Sequence, residues 1–339
     1  NCSIVAAGLR YFLDLVAGAK WSVEPANDSD EAKGYAEFVE SVLMDGMEDT
    51  TWPRVVRRGG MYRFHGFSIQ EWTTKRLENG RTGYESIETR PQHTIRRWEI
   101  DNSGKILGAW QANPQTGREI FLPRAKIVYL CDDTFTDSPE GMGWFRHLLE
   151  PAERLKSYLK LEAIGFERDL SGIPIGYAPI TLINKMVGAG TITAAQGETM
   201  LTTMKQLVSL EVRKENTGAL FDSQPYTQTG PDGVQQTSMR QWALEIITGS
   251  SQTIAANGAS IERTNREMAR VMGIEGLLLG SSGTGSHALA NNKSEALFLS
   301  INSTLADMVP SYRRDVLRPL WILNAFPAPM MPKLKTEDV

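Results

Sequence analysis

The sequence is short of the residues on which most metal, redox and membrane chemistry depends. Its 339 residues include two cysteines, Cys2 and Cys131, and four histidines, His65, His93, His147 and His287. The cysteines lie far apart and match no metal-ligand or redox spacing, so they read as reduced thiols of a cytosolic protein. No histidines fall at a paired helical spacing or beside a cysteine pair, which leaves a zinc site without a ligand set. No apolar run approaches the ~20 residues that cross a bilayer. The opening Asn1-Cys2-Ser3 carries neither a Met nor a charged leader, so the chain reads as soluble, trimmed at its start and without a membrane partner. Charge of one sign is also lacking. The formal net charge is -4, with 22% charged residues, which disfavours a protein that grips nucleic acid through many phosphate contacts.

Catalytic motifs are equally scarce. The run Gly280-Ser281-Ser282-Gly283-Thr284-Gly285-Ser286 has the small residues that free backbone N–H groups to cradle phosphate oxygens. A Walker motif needs Gly-Lys-Ser/Thr after a strand; here Gly285 precedes Ser286-His287 and the run follows a helical pattern, so a mobile loop is the stronger reading. Asp132-Asp133 with Asp137 could hold a hard cation, but acidic residues at a strand-to-turn boundary more often serve the turn itself. No Gly-x-Ser-x-Gly elbow is present. The basic pairs Arg57-Arg58, Arg96-Arg97 and Arg313-Arg314 are more readily explained by acidic neighbours or water than by nucleic acid. No enzyme, cofactor or metal is therefore expected.

What is present is enough apolar material, 41% of residues, for two or three packed modules. Val5, Leu9, Phe12, Leu13 and Val16 recur at helical spacing, and Gly18 closes that run before an extended Trp21-Ser22-Val23-Glu24-Pro25. Asn27 to Asp30 can cap a second helix whose apolar face is Ala32, Tyr35, Ala36, Val39, Val42 and Leu43. Between Met61 and Leu130 short aromatic and β-branched stretches alternate with turn signals, which predicts a β-rich block. The pieces around Trp98 and Ile100, Leu107 to Trp110, Ile120 to Leu122 and Ile127 to Leu130 are expected to form one meander.

After Gly143 the pattern turns helical. Leu148, Ala152, Leu155, Leu159, Ala163, Phe166 and Leu170 predict a long helix, and Pro151 either kinks it or marks its true start. Residues Ser171 to Thr237 are expected to form a small mixed module. It would hold one helix near Ala194 to Leu207 and extended pieces at Ile173 to Tyr177, Leu210 to Arg213 and Ala219 to Phe221. From Ser238 to Gly273 a second long helix is expected. Its narrow apolar stripe (Ile254, Gly258, Ile261, Asn265, Met268, Met272) is flanked by Glu262, Arg263, Arg266, Glu267 and Arg270. A last helix runs from about Asn292 to Asn324; Pro310 should bend or break it, and Pro327, Pro329 and Pro332 end regular structure.

The order of these signals resembles the portal family of tailed phages, in particular its Mu-like branch, over most of the chain. The opening helix and its Lys20-Trp21-Ser22-Val23-Glu24-Pro25 are similar to that family's helix and Trp-centred extended segment. Tyr62-Arg63-Phe64-His65-Gly66-Phe67-Ser68-Ile69-Gln70-Glu71-Trp72 resembles its aromatic-Gly-Phe-x-x-x-Glu strand. Leu122-Pro123-Arg124-Ala125-Lys126-Ile127-Val128-Tyr129 is similar to its Leu-Pro-x-x-Lys lead into a strand, and Pro139 to Arg146 to the Pro-x-Gly turn before its stem helix. Phe166 to Pro174 resembles the aromatic-Glu-Arg-x-Gly-x-Pro exit from that helix, with Asp169, Leu170 and Ser171 inserted. Leu279 to Ala288 is similar to the Leu-Gly, Gly-Ser and Ala pattern before the last wing helix.

The resemblance implies an α+β portal fold. Residues 1–143 would form a mixed α/β wing, 144–170 the first stem helix, 171–237 a small clip and 238–273 the second stem helix. Residues 274–292 would form the channel loop, 293–326 a long kinked wing helix and 327–339 the start of a C-terminal crown or tail segment. It implies a twelve-membered homo-oligomeric ring at the capsid portal vertex of the virion, assembled in the host cytoplasm. Its partners would be the terminase large subunit, the major capsid protein, head-completion and neck proteins, and double-stranded DNA that passes without sequence readout. The channel loop would include Gly280 to His287 with Asn291, Asn292 and Lys293. Glu262, Arg263, Arg266, Glu267 and Arg270 would face either the channel or a neighbouring subunit. A neighbour's carboxylates are favoured over DNA for the three arginines, because Glu262 and Glu267 stand so close by.

Overall fold

A computed structural model describes residues 2–171, 173–206, 225–231, 233–240, 243–247, 251–276 and 287–339. It divides into two compact units, residues 1–154 with 263–339, and residues 155–262.

The first unit opens with helix α1 (Ser3–Gly18), which buries Phe12, Leu13 and Val16, followed by strand β1 (Trp21–Glu24). Helix α2 (Asp30–Met44) is capped by Ser29, whose side chain accepts from the Ala32 N–H, and carries Asp30 and Glu31 in its first turn, where the helix dipole favours negative charge. Two short helices not expected from the sequence follow, α3 (Trp52–Gly59) and α4 (Tyr62–His65). Thr51 and Pro53 are the start signal for α3: proline suits a first turn, where its missing N–H would have no partner.

The β-rich block forms two antiparallel sheets. Strands β2 (Phe67–Arg76) and β3 (Thr82–Arg90) pair along their length; β4 (Ile95–Ile100), β5 (Ile106–Ala112) and β6 (Glu119–Pro123) form a meander. The expected fourth meander strand, β7 (Ile127–Cys131), lies elsewhere: it pairs with β2, Ile69 opposite Tyr129, so that the sheet order is β3-β2-β7. The reason is burial. Ile127, Val128 and Leu130 are almost fully covered, a pattern for a strand packed on both faces, whereas β6 is exposed along most of its length. Phe67, Ile69, Ala109, Leu122 and Ile127 pack as one cluster that joins the two sheets.

Helix α5 (Trp144–Ser171) runs 28 residues, about 42 Å at roughly 1.5 Å per residue, and passes through Pro151, so Pro151 marks neither its start nor its end. In the second unit come β8 (Ile173–Tyr177), α6 (Ile180–Gly188), α7 (Ala194–Gln206), β9 (Pro225–Gly230), β10 (Gly233–Arg240) and β11 (Ala243–Ile247). The extended pieces expected at Leu210 to Arg213 and Ala219 to Phe221 lie outside the described residues. The second long helix does not begin at Ser238. Residues 233–240 and 243–247 are strands, β11 pairing with β8 from Ala243 opposite Tyr177 to Ile247 opposite Ile173, and helix α8 spans Ser251–Val271. Ile246 and Ile247 favour a strand once such a partner is available. Gly273, at φ +70°, ends the helix in the left-handed conformation that glycine tolerates.

The last helix, α9 (His287–Tyr312), begins earlier than expected. Residues 287–292, including His287, Asn291 and Asn292, and with them Lys293, are helical and not loop. Ala288, Leu289 and Ala290 are strong helix formers, which explains the early start. Pro310 does not break α9; the irregularity falls just after it, as a π-turn at Arg313–Leu317 that leads into α10 (Arg318–Leu323). Regular structure then resumes beyond the prolines: β12 (Lys333–Thr336) pairs with β1, Trp21 opposite Thr336, so residues 327–339 return to the N-terminal segment.

Candidate functional site

Three groups of residues organise the first unit, and the expected site residues fall around them. The first is the contact between Gly66 and the turn before α5. Gly66 has φ +100° and Gly141 φ +59°, conformations that disfavour any side chain. A Cβ on Gly66 would collide with the Glu140 carbonyl, one on Gly141 with the Gly66 carbonyl, and one on Gly143 with the Gly66 nitrogen. The Asp132 N–H donates to the Gly66 carbonyl at 2.7 Å and the Met142 N–H to the Asp132 carbonyl at 3.0 Å. Two stretches singled out in the sequence, Tyr62 to Trp72 and Pro139 to Arg146, are thus one interlock that fixes where α5 begins.

The second is Arg63, whose guanidinium lies 3.4 Å from Asp132 and 2.6 Å from Asp307, and whose Nε donates to Thr304 Oγ1 at 3.2 Å. Burial opposes its charge, yet the Tyr62 phenol, Asp132 and Asp307 together raise its pKa. Burial also pushes the Tyr62 phenol far above its ordinary range. Asp132 is therefore committed to Arg63 and to the Thr134 hydroxyl, which donates to it at 2.7 Å, so the structure uses it as an internal counter-charge. Among the described residues no group of three acidic, histidine or cysteine side chains is arranged to hold a metal.

The third is Asp315 in the π-turn. It accepts from Arg124 Nη2 at 2.9 Å on both oxygens, from the Tyr129 N–H at 3.1 Å, and from Arg314 at 2.9 and 3.0 Å, while only 4% of its side chain is exposed. Of the three basic pairs, one arginine in each meets a carboxylate: Arg57 with Asp14 at 2.9 Å, Arg97 with Glu119 at 3.4 Å, and Arg314 with Asp315.

On α8, Thr264, Met268 and Ala269 are buried, while Glu262, Arg263, Arg266, Glu267 and Arg270 are exposed. Glu267 and Arg270 are among those of the five that have partners within the chain. Glu267 pairs with Arg154 of α5 at 2.6 Å, and Arg270 with Glu275 at 3.0 Å, a bond that raises the arginine's pKa. Gly280, Ser281, Ser282, Gly283, Thr284, Gly285 and Ser286 lie outside the described residues. Arg63, Arg124, Asp307 and Asp315 were not foreseen, because each pair closes over a long sequence separation and no local spacing marks it.

Comparison with known proteins gives a family. No curated protein sequence matches the chain. Among solved structures, a chain in the neck of an empty gene transfer agent (GTA) particle computed with C6 symmetry superimposes with a TM-score of 0.57 at 11% identity, covering 98% of this chain and 80% of that one. A chain in the neck of a native GTA particle computed with C12 symmetry gives 0.55 at 10% identity over 98% and 80%. A crystal structure of an HK97-family phage portal protein from Corynebacterium diphtheriae gives 0.47 at 10% identity over 98% and 91%. At such identities the two GTA chains speak for the fold alone. Residues 4–338, however, match the family described as the portal protein of Mu bacteriophage. The chain belongs to the Mu-type portal protein family, a structural component of the phage head and not an enzyme.

Proposed function

We propose that the chain is one subunit of the ring-shaped channel at the capsid vertex, through which double-stranded DNA enters during packaging and leaves on ejection. The observation that carries this reading is the family match across residues 4–338. Twelve subunits is the proposed ring size, supported by the C12 symmetry of the GTA neck whose chain shares the fold. Residues 155–262 are the proposed stem and clip, the part that would meet the terminase large subunit, since in the sequence α5 and α8 flank the small module. Capsid and neck proteins would contact the remainder of the ring.

Gly280 to Ser286 is the proposed channel loop, because small residues offer DNA neither bulk nor charge, and α9 would begin at its end. A net charge of -4 suits a surface past which phosphates must slide, since many fixed Lys and Arg contacts would hold the duplex in place. Negative-stain microscopy of the purified protein tests the reading. Twelve-fold rings with a central hole are the expected result; a persistent monomer, or a ring of different symmetry without a hole, would overturn it.

A further inference from the structure

The first unit carries two surfaces of opposite charge. A cavity of about 710 Å³ opens beside the π-turn, and its wall holds Arg313, Arg314, Arg318, Lys333 and Lys335 but no acidic residue. Apolar side chains, Pro310, Trp321 and Leu334 among them, also line it. Arg314 is taken up by Asp315 and Lys335 by Glu24 at 2.7 Å, and Glu24 also lies opposite Lys333 on the paired strand, whereas Arg313 and Arg318 stand exposed beside the cavity.

The opposite charge is on α2. Phe38, Val39, Val42 and Leu43 are buried, which turns the other side of the helix outward. Asp30, Gly34, Glu37, Ser41 and Asp45 follow one another at steps of three and four along that outer face, with Glu40 beside them, and all six are exposed. Lys33 is the one basic residue of the helix and lies 3.9 Å from Asp30. Gly34 and Ser41 keep the face low, so a partner can approach its carboxylates closely. Trp321 belongs to both neighbourhoods: its ring packs against Tyr35 of α2, 5.2 Å between centroids, and it also lines the cavity. One body thus rigidly carries an acidic helix face and a basic groove.

We infer that the occupant of the groove is the outer face of α2 from a second copy of this chain. This inference rests on the ring proposed above. A ring built head to tail needs two different surfaces that complement each other, and the same pair recurs at every junction. Opposite charge fixes which face meets which and speeds encounter, more than it adds affinity. The contact should accordingly weaken with salt, because the rim charges are exposed and the screening length is about 8 Å at physiological ionic strength.

The test uses the full chain in two charge-reversed forms, one with Arg313→Glu and Arg318→Glu, the other with Glu37→Arg and Glu40→Arg. Each alone places like charges across the junction, so at least a tenfold loss of rings in native mass spectrometry or microscopy is expected. Mixed in equal amounts, the two forms complement each other at both junction types and should give alternating rings, a result that also shows both to be folded. Two outcomes overturn the contact: rings from either form alone at the unmodified protein's yield, or no rings from the mixture while the unmodified protein assembles. An unmodified protein that makes no ring at all counts against the portal reading instead, and the contact falls with it.

Discussion

Asp315 sits where a carboxylate is costly to keep charged unless its lone pairs are taken up, and the residues around it do this from three directions. Arg124 reaches it from the segment before β7, the Tyr129 N–H from β7 itself, and Arg314 from the preceding position of the π-turn. Removing one side of such a buried pair leaves the other charge without compensation, a loss of about 3–5 kcal/mol, whereas replacing both sides by apolar groups of similar size is often nearly neutral. Asp315→Ala should therefore lower the unfolding free energy by that amount, and Asp315→Leu combined with Arg124→Met by clearly less. Denaturant midpoints measure both, and equal losses would show that the ion pair is not what holds the π-turn. Tyr312 offers a milder case. Its hydroxyl lies 3.2 Å from both the Val55 carbonyl and Gln70 Oε1 in a fully buried setting, while Gln70 Nε2 donates to the same carbonyl at 2.7 Å. Tyr312→Phe removes the donor to Gln70 and should cost about 1–3 kcal/mol, the usual penalty for a buried polar atom left without a partner.

At the scale of elements, the interlock of Gly66 with Gly141 and Gly143 decides how the sheet β3-β2-β7 hands over to α5. Gly66→Ala meets two obstacles, a positive φ and the Glu140 carbonyl, while Gly80→Ala meets only the first, since nothing lies within 4 Å of a Cβ there although φ is +76°. The backbone cost alone is about 1–2 kcal/mol. Gly66→Ala should thus depress the Tm by more than Gly80→Ala, and the difference between the two measures the contact; equal shifts would mean that the turn yields freely. This interlock also marks what was legible in the sequence. Its two halves stood out as a glycine after aromatics and a Pro-x-Gly turn, but that they touch was not visible, because Gly66 and Gly141 are 75 positions apart. Local periodicity exposed α1 and α2, whose buried faces follow the 3.6-residue repeat, and it exposed α5 as a helix although, of the apolar positions that marked it, Leu148 and Leu155 are buried while Leu159, Ala163 and Phe166 are exposed. It failed where a distant partner decides. Residues 243–247 read as helix until β8 supplies the other strand, and Ile127 to Cys131 read as meander until β2 claims them. Of the candidate site residues, the exposed charges of α8 were found by spacing, while the partners of Glu267 and Arg270 were not.

For the whole molecule, the described side chains of the two units differ in burial. Nearly all of the deeply buried apolar side chains belong to the first unit; in residues 155–262, among those described, Leu155 and Ile183 are the buried hydrophobic ones. The same unit leaves Leu159, Leu161, Phe166, Ile180 and Val234 exposed by 47–69%. Apolar surface on this scale marks a surface that meets a partner. In the proposed ring that cover would come from the neighbouring copies. Amide hydrogen exchange on the separated subunit and on the assembled ring tests this directly. Amides of residues 173–206 and 225–247 should exchange at least tenfold faster in the separated subunit, while those of β2, β7 and α9 should change little, because their protection comes from the first unit's own packing. Equal protection of the second unit in both states would show that it folds on its own resources, and the apolar side chains it exposes would then need a different occupant from the neighbouring subunit.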